Sequence, residues 1–205
     1  MVKKPEEKKT PEEIGMEVIT AMDHEFHEQS DRIVAIVGAA YLDSTLDSLL
    51  RAAFIDARDE VDRLFRPDAP LGSNGSRCQL AHCLSLITCD QRDDLKIIAK
   101  IRNVFAHDFK ALSFDTPQVR DFCASLQQPE HLAAMPEKIF SPDTAKHMKQ
   151  YVREITATPR EKFRRSVIGL FGSLLRRINY MKRVKPGIWF SYDPDAQPGH
   201  PNDDA

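Results

Sequence analysis

The stretch Asp94–Asp108, DLKIIAKIRNVFAHD, decides the fold. At about 100° per residue on an α-helix, five apolar side chains of this stretch share roughly a third of the circumference, the width of a stripe that faces a hydrophobic core. These side chains are Ile97, Ile98, Ile101, Val104 and Phe105. The pattern therefore predicts a helix with one buried face.

The other side of this helix is polar and carries Lys96, Lys100, Asn103 and His107, with Arg102 at the margin of the apolar arc. Asn103 and His107 are one turn apart, so one side chain can hydrogen-bond to the other. Arg102 and His107 are separated by about 140° around an ideal helix. They can act together only if the helix ends near Ala106 or if a partner chain supplies the second side chain.

This polar trio, Arg102, Asn103 and His107, suits phosphodiester chemistry. A neutral histidine can remove the proton of an RNA 2′-hydroxyl, and an arginine can stabilise the negative charge that develops on the phosphoryl oxygens, with no metal. The R-x4-H spacing, here in the form RNxxAH, resembles the motif of HEPN-domain proteins. These are small helical bundles, and many are metal-independent ribonucleases whose active site forms across a symmetric dimer. The structural alternative is a salt bridge at Arg102 and a helix C-cap at His107, which the helix dipole favours.

Length and charge narrow the class of protein. The chain has 205 residues, of which 41% are hydrophobic, so it can bury one core, and its net charge of −2 gives no global attraction to nucleic acid or membrane. Its longest apolar run, Ile33–Leu42, is about half of the roughly 20 residues that a membrane-spanning helix needs. Met1–Lys9 is charged and unlike a signal peptide. We expect a cytoplasmic protein without membrane contact.

The rest of the chain also reads as helices, and no segment alternates as a strand does, which predicts an all-α protein built as a single multi-helix bundle. We expect a flexible arm over 1–9, a helical domain over 10–185 and a disordered tail over 186–205, rich in proline and aspartate. Capping residues and prolines predict helix starts near Thr10, Asp31, Ser76, Asp94, Pro117, Pro142 and Pro159, with a short helix around Val61–Phe65. Thr88 to Asp90 are predicted to form a short break before the helix that contains Asp94–Asp108. Within the tail, three aromatic residues form a candidate docking segment: Trp189, Phe190 and Tyr192.

The second predicted helix runs from Asp31 to about Asp56. Its first half, Ile33–Leu42, is apolar almost all the way round, and Gly38 and the two alanines after it allow a neighbouring helix to approach closely. We therefore expect this helix to be the most buried element.

The last predicted helix combines an apolar stripe with many cations. The stripe consists of Phe163, Val167, Leu170, Leu174, Ile178 and Met181. Its cations could bind RNA phosphates through Arg164, Arg165, Arg176, Arg177, Lys182 and Arg183. Alternatively, these arginines pair with acids of Asp56–Asp62 or of the acidic first helix. No helix-turn-helix pattern is present, so sequence-specific DNA binding is not predicted.

No metal or cofactor is predicted. The four cysteines show no CxxC spacing and are expected to be buried, reduced thiols, because Cys78, His82 and Cys83 on one helix cannot close a zinc tetrahedron. Two acidic clusters also have structural interpretations. The cluster of Asp23, His24, His27 and Asp31 is expected to be a solvated polar face, and Asp90, Asp93 and Asp94 are expected to complement a helix dipole.

Four segments of the sequence, in the same order along the chain, resemble a known protein family. They are Ser30-Asp31-Arg32, GAAYLDSTLDSLLRAAF (38–54), APLGSNGSRCQLAHCLSLI (69–87) and IRNVFAHDFKALSFDTPQVRDFC (101–123). Together they resemble the mannitol operon repressor (MtlR) family over about residues 14–126. The resemblance implies an all-helical, homodimeric bacterial regulator that works through another regulatory protein rather than by direct DNA recognition.

Two hypotheses follow from these patterns. The family resemblance favours a transcriptional repressor that is not an enzyme. The chemistry of Arg102 and His107 alone favours a metal-independent endoribonuclease or an RNA-binding module.

Overall fold

A computed structural model describes residues 11–108, 111–128 and 142–181. Over these ranges the chain forms eight helices and no strand, which confirms the predicted all-α bundle. The helices are α1 (Pro11–Glu28), α2 (Asp31–Ala53), α3 (Arg58–Leu64), α4 (Asn74–Cys83), α5 (Cys89–His107), α6 (Pro117–Ala124), α7 (Pro142–Ile155) and α8 (Pro159–Tyr180). The predicted arm, the predicted tail and its three aromatic residues lie outside the described residues.

Helix α2 is the centre of the bundle, with α8, α5 and α4 packed on it, while α1 packs on α8 and α6 lies against α5 and α8. A Cβ atom added to Gly38 would lie 3.4 Å from atoms of the Phe163 and Val167 side chains, so α8 approaches α2 closely at this point, as predicted. The outer side of α2 is different. Ile33 and Ile36 are exposed there, although α2 contains more buried residues than any other described helix, which confirms that it is the most buried element.

By length and composition, α2 is also the one helix among the described residues that could cross a membrane. Half of its apolar window is buried inside the bundle. This burial, with α5 and α8 packed on the helix, is the packing of a core helix in a globular protein.

Helix α5 contains the stretch that decides the fold, and it buries the predicted apolar stripe. Ile98, Ile101 and Phe105 are fully buried, and the less buried Ile97 and Val104 pack against the same core. The helix begins earlier than predicted, at Cys89. The Thr88 hydroxyl accepts a hydrogen bond from the Gln91 amide, and the Gln91 side chain accepts one from the Thr88 amide. This reciprocal cap starts the helix, so Thr88 to Asp90 are a helix start and not a break.

Two other boundaries differ from prediction. Helix α2 ends at Ala53 rather than near Asp56, and α4 begins at Asn74 rather than after Ser76. The Ser73 hydroxyl caps α4 by accepting a hydrogen bond from the Ser76 amide at 3.1 Å. The predicted cap, Ser76, is therefore of the right residue type but lies three positions further along the chain.

Asp94 is a buried acceptor rather than an exposed acid that only complements the dipole. Its side chain is 1% exposed, and its two oxygens accept hydrogen bonds from the amides of Gln127 and Gln128 at 2.9 and 2.7 Å. The carboxylate therefore fixes the chain after α6 against α5.

The Ser30-Asp31-Arg32 block joins several elements. One Asp31 oxygen pairs with Arg160 of α8, and the other accepts from the Phe114 amide at 2.9 Å. Arg160 also donates to the carbonyl of Phe26 at the end of α1. Arg32 reaches the end of α5. This block therefore holds α1, α5 and α8 around the start of α2.

Candidate functional site

The exposed outer sides of α2 and α5 meet along one surface, which we call the α2–α5 face. Ile33, Ile36 and Ala40 lie within about 60° of one another on α2 and are exposed. Helix α5 runs beside them in the opposite direction, since its C-terminal end lies at Arg32. The face consists of Ile33, Ile36, Ala40, Ala99, Arg102 and Ala106.

A groove of about 260 Å³ runs between the two helices. Its walls are mostly small or apolar, with Ile36 and Ala40 on one side and Ala99 and Ala106 on the other, and Arg102 also lines it. Alanines at these positions keep the groove open because they do not fill the space between the helix backbones.

The end of the groove away from Arg102 is closed by a polar cluster. One Asp43 oxygen accepts from Arg77 Nη1 and from Asn74 Nδ2, both at 2.8 Å. Asp43 is therefore held by its own chain, whereas Arg102 has no such partner among the described residues.

The structure leaves the predicted polar trio exposed. Arg102, Asn103 and His107 all face solvent, and within the described part of the chain none of them forms a hydrogen bond or an ion pair. Within these ranges Arg102 forms no salt bridge and His107 makes no capping hydrogen bond, although His107 lies in the last turn of α5, where the helix dipole favours a cation. Arg32 explains why His107 does not donate a capping hydrogen bond. It donates to the carbonyls of Phe105 and Asp108 and so occupies the C-terminal end of α5.

The same geometry limits what one chain can do chemically. Helix α5 continues through His107, so Arg102 and His107 remain about 140° apart on a regular helix. A single chain thus does not place both side chains on one phosphate.

The part of helix α5 after Asp94 carries charge of a single sign. Residues 95–107 include Lys96, Lys100, Arg102 and His107 and no acid. Lys100 lies 5.9 Å from the centre of the Phe122 ring, a cation–π contact, and none of the four basic side chains forms an ion pair with a described residue.

The basic helix α8 uses several of its arginines internally. Arg164 is fully buried and pairs with Asp23 at 2.8 Å and with Glu161, and Arg165 Nη1 lies 3.3 Å from the second Asp23 oxygen. Both arginines therefore pair with the first helix, as the alternative predicted. Arg164, being buried, cannot contact a ligand. Within the described ranges, the buried Nε atoms of both residues have no hydrogen-bond partner.

Of the remaining cations of the predicted RNA surface, Arg176 and Arg177 lie among the described residues. Arg177 donates to the carbonyl of Leu86, Arg176 is exposed without a partner among the described residues, and Lys182 and Arg183 lie outside them. The described part of α8 does not present a continuous cationic surface.

The acidic cluster near the end of α1 is not simply solvated. Asp23 and Asp31 bind arginines of α8, and His27 Nδ1 lies 3.5 Å from Arg164. Sequence spacing within α1 could not reveal these partners, because they are more than 100 residues away in the chain.

The cysteines divide into two pairs. Cys78 and Cys123 are buried, as expected, whereas Cys83 and Cys89 are exposed, which corrects the prediction for the second pair. Burial raises the pKa of Cys123 to about 12 and also raises the pKa of Cys78. No group of three metal-ligating side chains is found within the described ranges.

The sequence analysis missed the apolar half of the α2–α5 face. The available signal was the excess of apolar residues over Ile33–Leu42. A helix in a bundle needs an apolar stripe on one side, so apolar residues on the remaining side need either a second layer or a partner.

No family model matches the chain, and no curated protein matches it. A solved structure does. The chain is similar to a chain in the X-ray structure of the MtlR-HPr complex from Escherichia coli, with a TM-score of 0.55 and 18% sequence identity. The match covers 75% of this chain and 98% of the other. At this identity the similarity shows a shared fold, which agrees with the MtlR resemblance of the sequence blocks. None of the comparisons supports a relationship with HEPN domains.

Proposed function

We propose that this protein is an MtlR-like transcriptional regulator, a repressor that acts through contacts with another protein. The observation that carries the proposal is the shared fold with a chain of the MtlR-HPr complex, over 98% of that chain. The four sequence blocks that resemble the MtlR family point the same way. The proposal places the protein in the cytoplasm as a homodimer, with HPr as the first partner to test.

The surfaces of the molecule support binding of protein rather than of DNA. The α2–α5 face combines exposed apolar side chains with an open groove, as protein-binding surfaces do. Helix α8, the most basic element, commits Arg164 and Arg165 to Asp23 and Arg177 to a backbone carbonyl. It therefore has few free cations among the described residues for a DNA backbone.

The proposal is tested by isothermal titration of the purified full-length chain with HPr from the same organism. We expect a saturable binding isotherm. If folded HPr gives no heat at any concentration up to about 1 mM, HPr is not the partner. A dissociation constant of about 1 mM corresponds to a binding free energy of only about −4 kcal/mol.

Repression is tested separately in cells. Deletion of the gene should raise a defined set of transcripts, and expression of the wild-type protein should lower them again. Transcript levels that are the same with and without the protein contradict a repressor.

A ribonuclease is the second candidate, favoured by one observation. Arg102 and His107 are both exposed and without partners in the described part of the chain. An active site would require Arg102 of one chain and His107 of another. The test is RNA cleavage in the presence of a chelator by the wild type and by His107→Ala. Activity that is lost in the variant supports the enzyme, and equal, negligible cleavage by both excludes it.

A further inference from the structure

We propose that the α2–α5 face binds an acidic, amphipathic surface of a partner protein, with an apolar ridge in the groove and carboxylates opposite Arg102. This inference rests on the proposed function as a protein-binding regulator and specifies the chemistry of the partner. It does not depend on the partner being HPr.

The apolar part of the argument comes from α2. Ile33 and Ile36 are 41% and 36% exposed, on a helix whose composition would suit complete burial. They border the groove whose walls include Ala99 and Ala106. A ridge of leucine-sized side chains fits such a groove as one helix fits between two others, and each apolar side chain buried there contributes about 1.5–3 kcal/mol.

The electrostatic part comes from α5. Arg102 lines the groove and has no partner among the described residues, and residues 95–107 around it include no acid, although the whole chain has a net charge of −2. Elsewhere in the bundle arginines such as Arg164 are paired within the chain. A partner that brings carboxylates to Arg102 would supply the ion pair that the described residues do not. Complementary charge would also speed association and select against basic partners.

The charge also argues against a second copy of this chain as the occupant. A two-fold contact over the groove would bring the Arg102 side chains of both copies close to one another. Like charges brought together in this way cost free energy. The nearest acid in the groove, Asp43, is already held by Arg77 and Asn74.

The test uses two designed peptide probes and the full-length protein. Each probe is an amphipathic helix of about 20 residues, roughly 30 Å long, with leucines along one side. One probe carries glutamates beside the leucines, and the other carries lysines at the same positions. Binding is measured by fluorescence anisotropy at low and at physiological salt.

Two pairs of variants separate the face from the rest of the surface. Arg102→Glu is matched by Arg176→Glu, since both arginines are exposed and without partners in the described ranges, but Arg176 lies on α8. Ile36→Ser is matched by Val18→Ser, since Val18 is 43% exposed on α1. Circular dichroism verifies that each variant is folded.

We expect the glutamate probe to bind, with at least tenfold weaker binding by Arg102→Glu and by Ile36→Ser, no change in the two control variants, and weaker binding at higher salt. Three results would overturn the inference: no binding of the glutamate probe, equal binding of the lysine probe, or equal losses in the control variants. Self-association that Arg102→Glu abolishes, measured by analytical ultracentrifugation, would also overturn it in favour of a second copy. If HPr fails to bind while the glutamate probe binds this face, HPr is excluded and the surface is retained.

Discussion

At the scale of single residues, Arg164 and Arg102 show how differently one side-chain type is used. Arg164 is fully buried on α8 and pairs with Asp23 and Glu161, which lie on α1 and on α8 itself. Arg102 is exposed and has no partner among the described residues. The first arginine therefore links helices, and the second is available to another molecule.

This contrast predicts different effects on stability. Arg164→Met should lower the free energy of unfolding by about 3 kcal/mol, the low end for breaking a buried ion pair, because Asp23 and Glu161 remain partly exposed and keep some hydration. Arg102→Met should change it by less than about 0.5 kcal/mol. Urea unfolding followed by circular dichroism measures both values. Similar losses in the two variants would contradict the assigned roles.

Thiol labelling tests the division of the cysteines. The reactive species is the thiolate, so burial and a pKa raised to about 12 should protect Cys123, and burial should protect Cys78. A disulfide reagent should therefore label two thiols quickly in the native protein, at Cys83 and Cys89, and four after unfolding. Serine at both exposed positions should remove the fast reaction. Fast labelling of that double variant would show that the buried pair is accessible.

Residue roles that depend on local pattern could be predicted, and those that depend on distant partners could not. The helical spacing of Ile98, Ile101 and Phe105 predicted their burial correctly, because periodicity reports which side of a helix faces the core. The buried role of Asp94 was missed, since its partners are amides 33 and 34 residues further along the chain. Nothing in the local sequence specifies that contact.

At the scale of elements, Asp94 fixes the segment after α6 to α5. Asp94→Ala should lower the free energy of unfolding by about 1–3 kcal/mol, because the amides of Gln127 and Gln128 would lose their acceptors. Asp93→Ala is the matched control, since that carboxylate is 42% exposed and pairs only with its neighbour Arg92 in the contacts described. Equal effects of the two substitutions in urea unfolding would show that the buried contacts add nothing.

The packing of α2 against α8 gives a second prediction about elements. Gly38→Leu should lower the free energy of unfolding by about 1–3 kcal/mol, because even a Cβ atom there already lies 3.4 Å from Phe163 and Val167. Gly15→Ala should raise it by about 0.5–1 kcal/mol, since no atom lies within 4 Å of the added Cβ on α1. Thermal unfolding of both variants measures the difference. A stabilised Gly38→Leu would mean that α2 and α8 do not approach closely.

Helix starts were predicted better than exact boundaries. Proline at the first helical position marked the starts of α6, α7 and α8 correctly. Proline is favoured there because the backbone amide at this position has no hydrogen-bond acceptor within the helix. The start of α4 was wrong by a few residues, because Ser73 and Ser76 have the same capping chemistry and only tertiary packing selects between them. Thr88 was taken for a break because capping residues and loop residues are the same types.

At the scale of the whole molecule, the sequence predicted an all-α bundle but not its open surface. Periodicity shows that α2 is apolar, yet it does not show that the bundle covers only one side of it. The α2–α5 face appears only after α5 and α8 are placed on α2. Its apolar edge, its groove and Arg102, which has no partner among the described residues, together favour a binding role for the molecule.

The most direct test of this account is amide hydrogen exchange of the full-length protein with and without HPr from the same organism. The account predicts slower exchange on complex formation in peptides covering residues 33–43 of α2 and 96–108 of α5, with α1 and α8 unchanged. Slower exchange confined to α1 and α8 would contradict it, and no change anywhere in the chain would exclude HPr as the partner.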